Sequence, residues 1–317
     1  MTDKDLGPLP IPNQHTNWVI PGDPPVIYKL SNDAQGMRVT GAIDPSKAKQ
    51  KILLLGDSFT YGVGVNDEQT FAYLLEDSLA KNGVPATVTD AGNPGKGTDY
   101  ELRFFELRGA SLRPDLTIVG FFSNDFDDNL TSRYYYIKND GALVPRSFPM
   151  SVDNGTFRKL SHWLLSWSEA AQLIRSIEGK WTMEKELSRI TFPGIAELIS
   201  STKQYSDTSS TALTALFLGE LHKKVSASGS DFLVLYIPRV DEVAAYRRNG
   251  SLSTDEKTFR SLMGPEEHFL SFTKALADSG VPLEKLYLAD GHWAAEAHEL
   301  AASAMEREAE NILQSRP

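Results

Sequence analysis

The feature that most constrains the fold is a series of short apolar runs separated by helical patterns. Ile52–Leu55 (ILLL) is a continuous apolar run that ends at Gly56, and Leu116–Phe122 (LTIVGFF) is a longer run of the same kind. A helical stretch, a short strand-like run at Thr87–Asp90 and a second helical stretch lie between them. Continuous apolar runs are typical of strands that are buried on both faces of a parallel sheet. The alternation therefore predicts an α/β protein, a three-layer α/β/α sandwich with a central parallel sheet.

The alternation lapses in the middle of the chain and resumes towards its end. Residues 1–50 are rich in proline, glycine, asparagine and aspartate, and we expect them to form an extended arm with a short strand near Pro25–Leu30. Residues 127–205 are predicted to be a mostly helical insertion after the third strand. The sheet pattern then continues with a strand at Asp231–Ile237. A helix near Pro265–Ser279, a short strand at Leu286–Leu288 and a last helix are expected to complete it.

Composition excludes several classes of function. With 32 basic and 42 acidic side chains the formal net charge is -10, which disfavours binding to nucleic acid or to anionic membrane surfaces. The apolar runs are far shorter than the roughly 18 residues of a membrane span. The first residues lack the pattern of a signal peptide, so we expect a cytoplasmic protein, or a periplasmic or secreted one if a leader has been removed. The sequence gives no indication of oligomeric state.

Cysteine is absent, which excludes thiol nucleophiles and thiolate metal sites. The hydrophobic fraction of 41% is enough to bury a large core. We therefore expect residues 1–317 to form a single domain, to which the arm and the insertion belong.

Two polar motifs follow predicted strands near the points where those strands end. Ser58 lies in the tetrapeptide Gly56–Asp57–Ser58–Phe59 that directly follows the ILLL run, and His292 lies in the sequence Asp290–Gly291–His292–Trp293 before the last helix. A serine nucleophile needs a base that takes its proton, and the base needs a group that holds its tautomer. Taken alone, Asp57 or Ser58 is as well explained as a helix cap, and His292 as an ordinary loop residue. Because ligands bind at the carboxyl ends of parallel strands, we expect Ser58 and His292 to converge.

Two further motifs offer hydrogen-bond donors for an oxyanion. The glycine-rich turn 92–97 follows the second strand, and a glycine there lets a backbone N–H approach a substrate oxygen. Asn124 follows the third strand, and its amide can donate as well. Each motif alone is more typical of a turn.

Taken together, the four motifs resemble the four blocks of the SGNH (GDSL) hydrolase superfamily. The matching segments are GDSF at 56–59, the turn around Gly95, the Asn–Asp pair at 124–125 and DGHW at 290–293. The resemblance covers roughly residues 50–130 and 230–315, and it implies a flavodoxin-like α/β fold.

The resemblance also implies a role for each residue. Ser58 would be the nucleophile, His292 the general base and Asp290 the residue that orients it. The oxyanion hole would consist of the Ser58 and Gly95 N–H groups and the Asn124 side chain. The implied enzyme is a carboxylic ester hydrolase that cleaves short-chain acyl or acetyl esters of a small molecule or a carbohydrate through an acyl-enzyme, with no metal and no cofactor.

Two departures from the family pattern leave alternatives open. The usual terminal block is Asp-x-x-His, but Ala289 occupies the expected aspartate position, so either Asp290 or a backbone carbonyl orients His292. Phe122 stands where the family usually has a glycine. An O-acyltransferase or deacetylase acting on a polysaccharide is the alternative function, and a non-catalytic carbohydrate-binding relative is the alternative of another class.

Three other features favour structural roles. The acidic cluster Asp125, Asp127, Asp128 and Asn129 lacks the spacing of a calcium loop and is predicted to be a solvated loop. His298 is interpreted as a structural residue of the last helix. One of the tyrosines 134–136 is expected near the site, because these residues follow Asn124 closely.

Overall fold

The protein is described from a computed structural model that covers residues 2–131, 134–138, 142–146, 208–264 and 268–316. Its strands in chain order are β1 (Thr2–Asp3), β2 (Gly7–Pro8), β3 (His15–Ile20), β4 (Val26–Ser31), β5 (Gln50–Gly56), β6 (Ala86–Asp90), β7 (Leu116–Phe122), β8 (Tyr135–Ile137), β9 (Leu143–Pro145), β10 (Asp231–Ile237) and β11 (His268–Ser271).

The helices alternate with the long strands. In chain order they are α1 (Ser58–Tyr61), α2 (Phe71–Lys81), α3 (Thr98–Phe104), α4 (Ala110–Leu112), α5 (Asp125–Thr131), α6 (Thr208–Ala227), α7 (Val240–Asn249), α8 (Thr254–Leu262), α9 (Phe272–Asp278), α10 (Leu283–Leu286) and α11 (Ala295–Ser315). A π-helical turn at Phe105–Gly109 joins α3 to α4, and short 3-10 turns lie at Pro45–Lys47 and Asp67–Gln69.

Five strands form the central sheet in the order β11-β10-β7-β5-β6, and all of its pairings are parallel. Counted along the chain within this sheet, the order is 2-1-3-4-5, which is the flavodoxin-like arrangement. Leu54 of β5 is paired with Ile118 of β7, which fixes the register of the two central strands. The prediction of an α/β fold with a central parallel sheet is confirmed.

Alternate residues of each strand enter two different cores, because successive side chains of a strand point to opposite faces. Ile52 and Leu54 pack with α2 and α11 on one face. Leu53 and Leu55 pack with α3 and α6 on the other. The sheet therefore lies between two helical layers, and this explains why its central strands are continuously apolar.

Two predictions for the end of the chain are wrong. The stretch predicted as one helix from Pro265 to Ser279 contains the edge strand β11 before α9. Ser271 separates the two elements, because its hydroxyl accepts a hydrogen bond from the Thr273 N–H at 3.2 Å and caps the helix.

The predicted strand Leu286–Leu288 does not form. Leu286 ends the short helix α10, and Tyr287 makes only an isolated bridge to Trp293. Leu286 and Tyr287 are nevertheless buried, at 0% and 5% exposure. Their apolar character therefore reflects packing against the core and not a place in the sheet.

The N-terminal arm contains more regular structure than its composition indicated. β1 pairs with β2, and β3 pairs with β4, both antiparallel. Only the second strand of the longer hairpin was expected, near Pro25–Leu30. The partner strand His15–Ile20 was missed, since it does not alternate between buried and exposed residues.

Arg38 fastens this arm to the rest of the protein. Its side chain is fully buried, and its Nε donates to Asp67 Oδ1 at 2.8 Å. The two terminal nitrogens donate to four carbonyl oxygens, those of Lys29, Tyr61, Gly62 and Val65. One guanidinium therefore links the hairpin to the end of α1 and to the turn that follows it.

The insertion after β7 begins with α5 and the antiparallel pair β8–β9. Residues 147–207, which include most of the predicted insertion 127–205, lie outside the described residues. Among the helices that the structure describes, none is long and apolar enough to cross a membrane.

Candidate active site

Ser58 is the first residue of α1, directly beyond the carboxyl end of β5. Asp57 caps this helix by accepting a hydrogen bond from the Phe59 N–H at 2.8 Å. The helix-cap interpretation therefore holds for Asp57, and the Ser58 hydroxyl is left to other partners. The turn requires glycine at position 56, because a Cβ there would lie 2.1 Å from Thr60 Oγ1 and 2.9 Å from the Gly120 carbonyl oxygen.

His292 lies on a short loop that backbone hydrogen bonds hold on both sides. The Leu288 N–H donates to the His292 carbonyl at 2.7 Å, and the Ala294 N–H donates to the Leu286 carbonyl at 2.8 Å. The next residue, Trp293, is completely buried. These contacts, and not the predicted strand, hold the loop that carries the His292 imidazole.

The structure brings Ser58, His292 and Asp290 into one hydrogen-bonded series. His292 Nε2 lies 2.9 Å from Ser58 Oγ, and His292 Nδ1 lies 3.0 Å from Asp290 Oδ2. The other carboxylate oxygen of Asp290 accepts from the His292 N–H at 3.2 Å. A hydroxyl, an imidazole and a carboxylate in this order have the geometry of a Ser-His-Asp triad. The contact at Nδ1 favours Asp290 over a backbone carbonyl as the orienting group.

Aromatic rings support the imidazole from one side. The Phe59 ring centroid lies 5.2 Å from that of His292, and Phe59 in turn packs on Phe122 at 4.3 Å and on Trp293 at 5.7 Å. Phe122 is the residue that replaces the usual family glycine, so this departure adds a ring that supports Phe59. In the sequence, this cluster was indicated by Phe59 of the GDSF motif, a residue to which no catalytic role is assigned.

The two proposed oxyanion donors other than Ser58 lie in different cavities. Gly95 lines the same cavity as Ser58 and His292. Its φ of +72° is in the left-handed region that favours glycine. Asn124 lines a second cavity of about 410 Å³, and its amide donates to Asp128 Oδ2 at 3.1 Å. Their roles in an oxyanion hole stay predictions.

The acidic cluster after β7 is not a solvated loop, and that prediction is wrong. Asp125 and Asn129 lie on α5 and are both fully buried. Asn129 accepts from the Asp99 N–H at 3.2 Å and donates to Thr214 Oγ1 at 2.9 Å. Asn129 is polar because it joins α5 to its neighbouring helices, whereas Asp127 of the same cluster faces solvent. Among the described residues no group of His, Cys, Asp or Glu is arranged to hold a metal ion.

Three buried carboxyls lie behind the serine loop, and burial raises the pKa of each. The pKa of Asp57 rises to about 7 through burial, with a further contribution from the charge of Asp128. Burial also raises the pKa of Glu101 and Asp125 well above the usual range, and the neighbouring carboxyls add to this effect. Burial therefore favours the neutral form of all three carboxyls.

Lys96, beside Gly95, connects the site to Tyr134. Its Nζ donates to the Tyr134 hydroxyl at 2.9 Å, and that hydroxyl donates to the Leu6 carbonyl at 3.0 Å. Burial lowers the pKa of Lys96, while Asp99 and Asp128 oppose this effect. Tyr134 therefore lies near the site as expected, but it contacts the turn behind the cavity.

His298 has a structural environment. Its ring is buried, and Nδ1 accepts from the Phe71 N–H at 3.2 Å. Burial lowers the pKa of His298 to about 3, so the ring is neutral at physiological pH and accepts this bond permanently.

A cavity of about 750 Å³ opens beside Ser58 and His292. One of its walls comes from the N-terminal arm, including Leu9, Ile11 and Trp18. Sequence reasoning missed these residues, because no local pattern in a proline-rich arm shows which distant surface it will cover.

The fold and this geometry define a class, that of α/β proteins with a serine, a histidine and an aspartate at the carboxyl edge of the sheet. The GDSL-like lipase/acylhydrolase family model matches residues 52–149, the segment that holds Ser58, Gly95 and Asn124. The resemblance drawn from the four motifs is thereby confirmed. The matched segment is thus similar to lipases and acylhydrolases.

The chain is also similar to an arylesterase and to two solved structures. An arylesterase from Vibrio mimicus is 30% identical over 108 residues, which are 31% of this chain and 54% of that protein. The chain thus spans about half the length of the curated relative that it matches. The crystal structure of TesA covers 83% of this chain and 99% of its own, with a TM-score of 0.48 and 16% identity. The crystal structure of a lipase/acylhydrolase from Enterococcus faecalis covers 84% of this chain and 99% of its own, with a TM-score of 0.46 and 15% identity.

Proposed function

We propose that this protein hydrolyses carboxylic esters by covalent catalysis at Ser58. The observation that carries the proposal is the series of two hydrogen bonds from Ser58 Oγ through His292 to Asp290, of 2.9 and 3.0 Å. A serine hydroxyl is a weak nucleophile unless an adjacent base takes its proton. His292 Nε2 is at the right distance to do so.

The first half of the reaction forms an acyl-enzyme. Ser58 Oγ attacks the ester carbonyl carbon while its proton moves to His292 Nε2, and the carbonyl oxygen becomes an oxyanion. The imidazolium is stabilised by Asp290 Oδ2, which accepts the hydrogen bond from Nδ1–H. When the tetrahedral intermediate collapses, the C–O bond to the alcohol breaks and His292 gives its proton to the leaving oxygen.

The second half regenerates the enzyme. Water gives a proton to His292 as its oxygen attacks the acyl carbon, and collapse of the second intermediate releases the carboxylic acid and returns the proton to Ser58. The proposed donors to the oxyanion are the N–H groups of Ser58 and Gly95 and one N–H of the Asn124 amide. Asp128 accepts from one of the two N–H groups of that amide, and the other is the proposed donor to the oxyanion.

Residues 1–317 are proposed to act as one domain with this single site. The support is that the arm and the body share buried contacts. Arg38 joins the arm to Asp67, and the Asn93 amide donates to the Pro8 carbonyl at 3.2 Å.

The test is hydrolysis of p-nitrophenyl acetate and butyrate by the wild type and by the variants Ser58→Ala and His292→Ala. Each variant should lose at least about a thousandfold in kcat/KM, because the residues of a triad act as a unit. Ser111→Ala and His268→Ala are matched controls, since both residues are exposed on the surface away from the cavity. A folded Ser58→Ala protein with full activity contradicts the proposal.

A further inference from the structure

We propose that the N-terminal arm forms the specificity-determining wall of the active site and selects esters with a bulky apolar group over acetyl esters. The arm lies before the segment that the family model matches, so the family motifs do not account for it. The inference rests on the proposed ester hydrolysis, and it adds which part of the chain recognises the substrate and what chemistry it recognises.

The β3–β4 hairpin presents one of its faces to the cavity. Trp18 and Tyr28 are paired across the hairpin, and both line the cavity. Val19 and Ile27 form the next pair and therefore point to the opposite face, where they are 49% and 63% exposed. The two faces differ in function: one covers the space beside Ser58 and the other faces solvent.

The chemistry of the wall is that of an apolar ligand. Leu9, Ile11 and Leu30 from the arm face the cavity together with Val63. None of the described residues that line it is acidic. Gln14, Asn93 and Lys96 also line the cavity, but aliphatic and aromatic side chains supply most of its exposed lining, and these gain free energy by removing apolar surface from water.

The size of the cavity also favours a large group. Its volume of about 750 Å³ lies in the range of small-molecule sites, whereas an acetyl group would leave most of the space unfilled. Half of the Trp18 surface and 54% of the Ile11 surface are exposed. An apolar group bound there would cover this surface.

The wall is held in position before a ligand binds. The Asn93 amide donates to the Pro8 carbonyl at 3.2 Å, and the Tyr134 hydroxyl donates to the Leu6 carbonyl at 3.0 Å. Arg38 donates to the Lys29 carbonyl of the hairpin at 3.1 Å. The arm is thus fixed to the turn that carries Gly95, and a preorganised wall loses little entropy on binding.

The experiment measures kcat/KM for two ester series with the full-length protein. One series varies the acyl chain of p-nitrophenyl esters from acetate to octanoate, and the other varies the alcohol of acetate esters from methyl to benzyl. Each methylene buried against the wall should raise kcat/KM roughly fourfold until the cavity is filled. The series that shows this rise identifies whether the acyl or the alcohol group occupies the wall.

Trp18→Ala is the test variant and Ile27→Ala is its matched control on the opposite face of the same hairpin. In the responding series, Trp18→Ala should lower the preference for the bulky ester over the small one about tenfold, Trp18→Leu should lower it less, and Ile27→Ala should leave it unchanged. A wild type that prefers acetate and methyl esters overturns the inference, as does a Trp18→Ala protein with an unchanged preference. If instead Ser58→Ala retains hydrolysis, the proposed function itself fails.

Discussion

Replacement of Asp290 by asparagine should inactivate the protein more severely than replacement by alanine. In the native loop, one carboxylate oxygen of Asp290 accepts from the His292 N–H at 3.2 Å and the other lies 3.0 Å from Nδ1. In Asp290→Asn, the side-chain amide oxygen should take the place of the carboxylate oxygen that accepts from the His292 N–H. The amide NH₂ group then faces Nδ1. That arrangement favours the tautomer with the proton on Nε2, which cannot accept the Ser58 proton.

The expected loss of activity depends on how far the Asp290 and His292 side chains are exposed to water. In a chymotrypsin-type triad, replacement of the buried aspartate by asparagine lowers kcat about 10⁴-fold, because the histidine then adopts the wrong tautomer. The Asp290 and His292 side chains are 31% and 24% exposed, so water stabilises either tautomer in part. We therefore expect kcat to fall about 10³-fold in Asp290→Asn. In Asp290→Ala, where water can replace the carboxylate, we expect kcat to fall about 10²-fold.

The assay is steady-state hydrolysis of p-nitrophenyl butyrate, with thermal unfolding of each variant to confirm that it is folded. KM should change little, since the aspartate does not touch the substrate, and the loss should appear in kcat. Two results refute the reasoning: an Asp290→Asn protein that is as active as the wild type, or one that is more active than Asp290→Ala. The first result would favour a backbone carbonyl as the group that orients His292.

Three other variants test neighbouring parts of the account. Arg38→Met should lower the free energy of unfolding in urea by about 3–5 kcal/mol, because it leaves Asp67 buried without its partner. A change within about 1 kcal/mol, the usual range of exposed ion pairs, would contradict the role of Arg38 in anchoring the arm. Burial raises the pKa of Asp90 to about 7, so its contribution to stability is present below about pH 4 and is lost as pH rises through about 7. Asp90→Asn should make this decline smaller in urea midpoints measured from pH 4 to pH 8, since other buried carboxyls such as Asp57 also contribute to it, and an unchanged pH profile would exclude a contribution from Asp90. Asn124→Ala should lower kcat for p-nitrophenyl butyrate roughly a hundredfold, and full activity would exclude its amide from the oxyanion hole.

The central sheet was predictable because its signals are local. The strand Leu116–Phe122 and the strand Asp231–Ile237 have the predicted bounds in the structure. Both are buried on two faces, so nearly every residue is apolar and the run ends where burial ends. Ser58 could be placed at the carboxyl edge for the same reason, since it follows one of these strands. His292 was placed there from a predicted strand, Leu286–Leu288, that does not form, and loop hydrogen bonds bring it to Ser58 instead.

The errors concern elements whose character depends on distant contacts. The edge strand His268–Ser271 is too short for a period to be visible, and only its neighbour β10 makes it a strand. Asp125 and Asn129 have the composition of a loop, but helix contacts bury them. The wall formed by the arm was equally invisible, because Trp18 lies 40 residues before Ser58 in the sequence and is brought to it only by folding.

The most direct test of covalent catalysis at Ser58 is the intact mass of the protein after reaction with a fluorophosphonate, followed by peptide mapping. A serine that His292 activates should form one phosphonyl adduct, and mapping should place it on Ser58. Ser58→Ala and His292→Ala should remain unlabelled under the same conditions, while Ser111→Ala should be labelled like the wild type. A folded wild-type protein that takes up no label, or one that is labelled at another residue, would contradict the account.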